Sequence, residues 1–127
     1  MALAKRSHLI ISALLLLGAG ALQAQAAIAC DKVDRQDDLE RCLAEELQLA
    51  DRSLNAEFGA LRRSLARERR EVLKHAQNAW ITLRDKDCEF EASAAAGGAA
   101  YRSLYLSCQL EATRSRLKSL QGWRLGA

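Results

Sequence analysis

The chain has 127 residues, the length of one domain, and its 19 basic and 16 acidic side chains give a net charge of +3. So small a charge excludes a nucleic-acid-binding tail, and a hydrophobic share of 50% excludes general disorder. The chain has no proline, and it is dominated by strong helix formers such as Leu, Ala, Glu, Arg and Gln. Because strands need β-branched runs and turn residues, this composition predicts an all-α protein.

The first 26 residues have the pattern of a secretory signal peptide. A basic start precedes a short apolar run at residues 9–17, and residues 24–26 (Ala-Gln-Ala) fit a cleavage site. The apolar run is too short to span a hydrocarbon core of about 30 Å, so we expect cleavage rather than a membrane anchor. The expected organisation is a signal peptide, 1–26, and a single domain, 27–127, that is periplasmic or secreted.

The charges that follow the predicted cleavage site are unevenly distributed along the chain. Residues 27–57 carry nine acidic and four basic side chains, whereas residues 58–127 carry seven acidic and thirteen basic ones. The first segment is therefore a candidate acidic surface that attracts a basic partner. The alternative is that these charges are only the solvated faces of amphipathic helices.

All four cysteines lie after the predicted cleavage site. Export places Cys30, Cys42, Cys88 and Cys108 in an oxidising compartment, where an even count in a short chain predicts disulfides. A zinc site is disfavoured because no Cys-x-x-Cys pair exists and His75 is the only histidine after the signal peptide. We therefore expect no metal and no other cofactor. A lipid anchor on Cys30 is less favoured, since this cysteine lies well beyond the apolar run.

Hydrophobic periodicity predicts three helices. The first runs from about Asp34 to Leu65, the second from about Glu68 to Ala95, and the third from about Tyr101 to near Gly122, leaving Trp123 in a frayed tail. No breaker separates the first two helices. A single helix of 62 residues would be roughly 90 Å long and would leave its apolar stripe without a partner, so we expect a turn near 65–70. The expected fold is a small antiparallel bundle of about three helices, stapled by disulfides.

The cysteine pairing follows from the hairpin formed by the second and third helices. If this hairpin turns at Gly97-Gly98, then Cys88 lies ten residues before Gly98 and Cys108 lies ten residues after it. The two cysteines then face each other within the Cα separation of about 5.5 Å that a disulfide needs. This predicts a Cys88–Cys108 bridge and leaves Cys30 to pair with Cys42.

The sequence offers no clear catalytic constellation. It has no Ser-His-Asp grouping in a strand-turn-helix context and no phosphate-binding glycine loop. His75 lies within a predicted helix and suits a surface or packing role. The carboxylates of the second helix fit a solvated face better than a cation site, and these are Asp85, Asp87, Glu89 and Glu91. The sequence also contains a basic cluster that consists of Arg62, Arg63, Arg67, Arg69 and Arg70. No aromatic residues are interleaved with these arginines, so the cluster does not indicate a nucleic-acid site.

The most distinctive pattern is a stripe of four residues on the second helix. Gln77, Trp80, Arg84 and Cys88 follow one another at spacings of 3, 4 and 4, so they share one face. We expect Trp80 to be largely buried and to stack against the guanidinium of Arg84. We expect Arg84 to donate to loop carbonyls around Gly97.

This stripe belongs to a longer pattern that resembles the LprI-type lysozyme-inhibitor domain, a family of small exported bacterial proteins. The resemblance extends over nearly all of the expected mature chain, including the four cysteines and the run from Leu73 to Cys88. Within and beyond this run, the motif positions are Asn55, Gln77, Trp80, Arg84, Asp85, Gly97, Gly98, Thr113 and Arg116. One departure is Ala99, which stands after the double glycine where the family usually has serine. The resemblance implies an exported helical domain and inhibition of lysozyme.

Two classes of function are compatible with these observations. The first is a non-enzymatic inhibitor that binds a lysozyme or another cell-wall hydrolase through the loop at 94–100 and an acidic surface made by Asp37, Asp38, Glu45 and Glu46. The second is a periplasmic structural or small-ligand-binding module with an unrelated partner. The motif residues fit either a role in folding or a role in binding. Neither class involves nucleic acid, or a membrane span after signal cleavage.

Overall fold

The computed structural model describes residues 30–126, which form three α-helices and two short 3-10 segments. The helices are α1 (Gln36–Ser64), α2 (Arg67–Ala92) and α3 (Tyr101–Leu125), and the 3-10 segments are Cys30–Lys32 and Ser93–Ala95. No strand occurs between residues 30 and 126, so the all-α prediction is confirmed. The predicted signal peptide lies outside the described residues.

The turn between α1 and α2 occupies only two residues. Leu65 and Ala66 have extended backbone, with ψ angles of 151° and 158°, although neither is a glycine or a proline. The side chain of Leu65 is buried in the same apolar cluster as Leu61 and Leu73. Burial of this leucine, rather than a local breaker, therefore accompanies the change in chain direction, and the expected turn near 65–70 is confirmed.

Consecutive helices run antiparallel, and α3 returns parallel to α1. The side chain of Gln36, at the start of α1, donates to Ser103 near the start of α3. At the other end of the same two helices, Arg124 pairs with Glu57. The pairing of α1 with α3 is the most extensive in the bundle, while α2 packs mainly on α3 and approaches the α1 backbone much less.

The core consists of two apolar clusters stacked along the bundle. The first joins the N-terminal halves of α1 and α3 and contains Leu43, Leu47, Ala50, Leu106 and Leu110. The second joins all three helices near the α1–α2 turn and contains Leu54, Leu61, Leu65, Leu73 and Leu120. Within residues 30–126, no helix combines the length and the apolarity that crossing a membrane requires.

Both predicted disulfides are present. Cys30 pairs with Cys42 at a Cα–Cα distance of 5.8 Å, and Cys88 pairs with Cys108 at 5.5 Å. The first bridge ties the segment before α1 to the side of that helix. The second joins α2 to α3 about one to two turns from the loop that connects them.

The prediction of a frayed tail at Trp123 is wrong, because α3 continues to Leu125. Two interactions hold its last turns. The guanidinium of Arg116 lies 4.9 Å from the ring centroid of Trp123, and Arg124 pairs with Glu57 on α1. The C-terminal turns therefore belong to the bundle.

Replacement of Cys88 and Cys108 by serine is expected to lower the free energy of unfolding by about 3 kcal/mol, because the bridge closes a loop of 20 residues in the unfolded chain. Urea denaturation followed by circular dichroism measures this loss. Non-reducing peptide mapping of the unaltered protein is the companion experiment. A peptide linking Cys42 to Cys88 would contradict the pairing.

Candidate functional site

The motif residues of α2 meet α1 and α3 at the side chain of Arg84. Its Nη1 donates to Asp51 Oδ1 on α1 at 3.4 Å and to Thr113 Oγ1 on α3 at 3.1 Å. Its Nε donates to Asp85 Oδ1, one residue along α2, at 3.0 Å. Only 12% of the Arg84 side chain is exposed, so these partners offset much of the cost of removing the cation from water.

The expectation that Arg84 donates to loop carbonyls around Gly97 is therefore wrong. Arg84 lies more than three turns before Gly97 on α2, and its partners lie at the mid-level of the bundle. The loop is instead held by α1, because the amide of Gln36 donates to the carbonyl oxygen of Ala99 at 3.1 Å.

Trp80 lies between two guanidinium groups. The Cζ atom of Arg84 is 5.2 Å from its ring centroid and that of Arg116 is 5.5 Å away, so the predicted stacking with Arg84 is confirmed. Trp80 is mostly buried, as expected, and packs against the second apolar cluster. Arginine side chains, rather than a further layer of apolar residues, provide part of its cover.

Gln77 positions the second of these arginines. It is only 5% exposed, and its Oε1 accepts a bond from Arg116 Nε at 3.0 Å. Burial lowers the pKa of the Arg116 guanidinium. The Nη2 atom of Arg116 is buried without a hydrogen-bond partner in the described chain, but the guanidinium lies over the rings of both Trp80 and Trp123. The aromatic faces provide the electrostatic stabilisation that hydrogen bonds give elsewhere.

Asp85 extends the network towards the loop. Its Oδ1 accepts from Gln109 Nε2 at 2.9 Å, and the same nitrogen donates to the hydroxyl oxygen of Tyr105 at 2.8 Å. Burial, together with the neighbouring carboxylates of Asp85 and Glu89, raises the pKa of Tyr105. One polar layer thus connects the helices, and its motif residues are Gln77, Trp80, Arg84, Asp85, Thr113 and Arg116.

Three members of this layer were not predicted from the sequence, namely Asp51, Tyr105 and Gln109. Asp51 was detectable in principle, because it lies four residues after Leu47 and three before Leu54, on the apolar stripe of α1. Asn55, by contrast, is exposed on α1 and does not join the layer.

The level of Arg84 also separates two ends of opposite charge. We define the acidic end as residues 30–50 and 80–112, which carry twelve acidic and six basic side chains. We define the basic end as residues 51–79 and 113–126, which carry four acidic and eleven basic side chains. The up-down-up topology produces this separation, because it places the acidic start of α1 beside the acidic second half of α2. The charge difference along the chain thus becomes a charge difference along the bundle.

The predicted partner surface lies at the acidic end, with one correction. Asp37 and Glu45 are exposed, and Asp38 is partly exposed and paired with Arg35 and Arg41. Glu46 is only 3% exposed and is paired with Arg114 of α3. It lies on the apolar stripe of α1 and therefore cannot line an exposed surface.

The loop between α2 and α3 projects from the same end. Gly97 has a φ of +77°, a conformation that favours glycine, and a Cβ on Gly98 would lie 3.3 Å from the carbonyl oxygen of Ala95. The backbone conformation of Gly97 and the close carbonyl oxygen beside Gly98 thus explain why the loop contains two glycines. Apart from Ala95, which is half-buried, the residues at 93–100 are exposed.

Three of the surface depressions in the described chain are candidate binding sites. A mixed groove of about 420 Å³ between α2 and α3 is lined by Trp80, Leu83, Asp87, Glu91 and Glu111, among others. The apolar groove, about 380 Å³ at the basic end, is lined by Leu61, Leu65, Arg69, Val72, Leu73, Ala76 and Trp123. The arginine cleft, about 330 Å³, is lined by Phe58, Gly59, Arg62, Arg63 and Arg70.

Comparison with known proteins agrees with the resemblance seen in the sequence. The model of the family described as "Lysozyme inhibitor LprI" matches residues 27–120. An uncharacterized protein of Rhizobium meliloti (strain 1021) is 31% identical over 124 residues, covering 87% of this chain and 89% of that protein. The uncharacterized protein YecT of Escherichia coli (strain K12) is 30% identical over 101 residues, covering 68% of this chain and 62% of YecT. No solved structure matches the chain.

Replacement of Arg84 by methionine is expected to lower the free energy of unfolding by about 3 kcal/mol, because Asp51 and Thr113 lose their partner on α2. The matched control is Arg41→Met. Arg41 is 67% exposed and, within residues 30–126, pairs only with Asp38 one turn away, so its loss is expected to cost less than about 0.5 kcal/mol. Equal midpoints of urea unfolding for the two variants would show that Arg84 does not connect the helices.

Proposed function

Because the chain belongs to the LprI lysozyme-inhibitor family, we propose that it binds and inhibits a lysozyme through its acidic end. The observation that carries this proposal is the excess of twelve acidic over six basic side chains at that end. Many lysozymes are strongly basic, and opposite fields speed the encounter of two proteins and orient them. Membership in a family of inhibitors also argues against an enzymatic role.

The proposed contact surface combines two helices. Asp37 and Glu45 contribute exposed carboxylates from α1, and Asp87 and Glu91 contribute them from the second half of α2. Glu46 takes no part because it is buried against Arg114. Exposed charges of this kind act mainly on the rate of association, so the complex needs a buried anchor as well.

The loop at 93–100 is the proposed anchor. It consists of small residues, and the space beside Gly97 is open, since a Cβ at this position would meet no heavy atom within 4 Å. The loop is thin enough to enter a substrate cleft, where its backbone would approach the catalytic carboxylates. Its ends are fixed by the bond from Gln36 to Ala99 and by the hairpin of α2 and α3, so little ordering entropy is lost on binding.

The alternative is a module that binds a small ligand. Ligand sites of that kind are concave and enclose most of the ligand surface. The mixed groove and the apolar groove are both open to solvent along one side. A projecting loop beside an acidic surface fits a basic protein partner better, and this comparison favours the inhibitor.

A cell-wall turbidity assay against lysozymes of several classes tests the proposal. Inhibition is expected at micromolar protein, and it is expected to weaken as salt screens the charges. The double variant Asp37→Asn/Glu45→Gln is expected to raise the inhibition constant about five- to tenfold, because each exposed pair contributes up to about 1 kcal/mol.

The matched control is Glu68→Gln/Glu71→Gln. It removes the same charge, and Glu68 lies in the first turn of α2 as Asp37 lies in the first turn of α1, but both glutamates are at the basic end. This variant is expected to inhibit like the unaltered protein. Absence of inhibition of every lysozyme class would refute the function. Equal effects of the two double variants would refute the surface while leaving the function in place.

A further inference from the structure

The joint between α1 and α2, residues 62–70, carries five arginines whose charges are not neutralised by the protein. These exposed residues are Arg62, Arg63, Arg67, Arg69 and Arg70. Within residues 30–126, no carboxylate lies within ion-pair distance of any of them. Among the other arginines of the described chain, Arg84, Arg102, Arg114 and Arg124 form ion pairs, whereas Arg52 and Arg116 form none.

Three of these arginines line one depression. The arginine cleft brings Arg62 and Arg63 of α1 together with Arg70 of α2 beside the ring of Phe58. Among the residues that the structure describes, no acidic side chain lines this cleft. Guanidinium groups gathered in this way are suited to bind the oxygens of a phosphate group.

An apolar surface adjoins this positive charge. Val72 is 68% exposed and Trp123 is 48% exposed, and both line the apolar groove together with the buried Leu61, Leu65 and Leu73. Leu125, at the end of α3, is 83% exposed on the same end of the bundle. Arg69 borders the apolar groove and Arg70 borders the arginine cleft, so the two features lie on either side of the joint.

We propose that this joint docks on an anionic phospholipid surface. The arginine cleft would bind lipid phosphates, while Val72, Trp123 and Leu125 enter the boundary between headgroups and acyl chains. Tryptophan favours this boundary because its ring has an apolar body and a polar N–H. Arginines beside an exposed apolar patch at one end of a bundle fit a lipid surface better than a simple polyanion, which gains nothing from exposed apolar side chains.

The proposal has a geometric consequence for the whole molecule. Docking through the joint directs the opposite, acidic end away from the lipid, because the ends lie at the two extremes of helices about 40 Å long. The loop at 93–100 would then face the surrounding solution. Lipid docking does not depend on the proposed inhibition of lysozyme, and either can fail alone.

Co-sedimentation of the protein, purified after export, with lipid vesicles tests this inference. The protein is expected to bind equimolar phosphatidylcholine and phosphatidylglycerol vesicles at low salt, and not vesicles of phosphatidylcholine alone. The triple variant Arg62→Gln/Arg63→Gln/Arg70→Gln is expected to reduce partitioning about a hundredfold. These side chains are exposed, so circular dichroism is expected to show an unchanged fold.

The control variant is Lys32→Gln/Lys86→Gln/Arg102→Gln. It removes three positive charges from exposed positions at the acidic end and is expected to leave binding within about threefold of the unaltered protein. Failure to bind anionic vesicles, or equal losses in the two triple variants, would overturn the proposal.

A second comparison separates a lipid surface from an acidic protein or polymer. The variant Val72→Ser/Leu125→Ser is expected to weaken vesicle binding about tenfold, because it removes apolar area that enters the bilayer. Acyl chains carrying bromine are expected to quench tryptophan fluorescence, and Trp123→Phe is expected to abolish most of this quenching. Undiminished binding of the serine variant without any quenching would show a purely electrostatic site, and the lipid proposal would be wrong.

Discussion

The hydrogen bonds of Arg84 are the constraint on which the arrangement of the three helices depends. A guanidinium that is only 12% exposed must keep its partners, and these partners lie on all three helices at Asp51, Asp85 and Thr113. The contact with Asp51 matters most for α2, because the backbones of α1 and α2 approach each other little. Trp80 and Arg116 extend the same layer towards the second apolar cluster. The motif therefore has a structural explanation, which does not require its residues to touch a partner.

The separation of charge gives the bundle two surfaces with different chemistry. The topology places the acidic start of α1 and the acidic second half of α2 at the same end of the bundle, so negative charge accumulates around the loop at 93–100. The turn at Leu65 and Ala66 collects the arginines at the opposite end, beside Trp123. Such accumulation costs self-repulsion, which folding alone does not require. A basic protein at one end and an anionic surface at the other would relieve it.

Much of the fold was predictable from the sequence because its signals are local. The stripe of α1, the glycines at 97–98 and the cysteine spacing fixed the helices, the hairpin and both bridges. The contacts of the candidate site were harder to predict, because they join residues that are far apart in the sequence. Glu46 lies three residues after Leu43 and four before Ala50, so its position on the buried stripe was visible, but its partner Arg114 is 68 residues away. The helical state of Trp123 likewise depends on Arg116 and on the pairing of Arg124 with Glu57.

Hydrogen–deuterium exchange of the protein with and without a lysozyme that it inhibits tests the central claim most directly, namely that the acidic end is the binding end. We expect slower exchange in the complex at residues 36–48 and 93–102, with no change at residues 58–72. These segments belong to opposite ends of the bundle, so the readout distinguishes them clearly. Slower exchange at residues 58–72 with unchanged exchange at the loop would contradict the account.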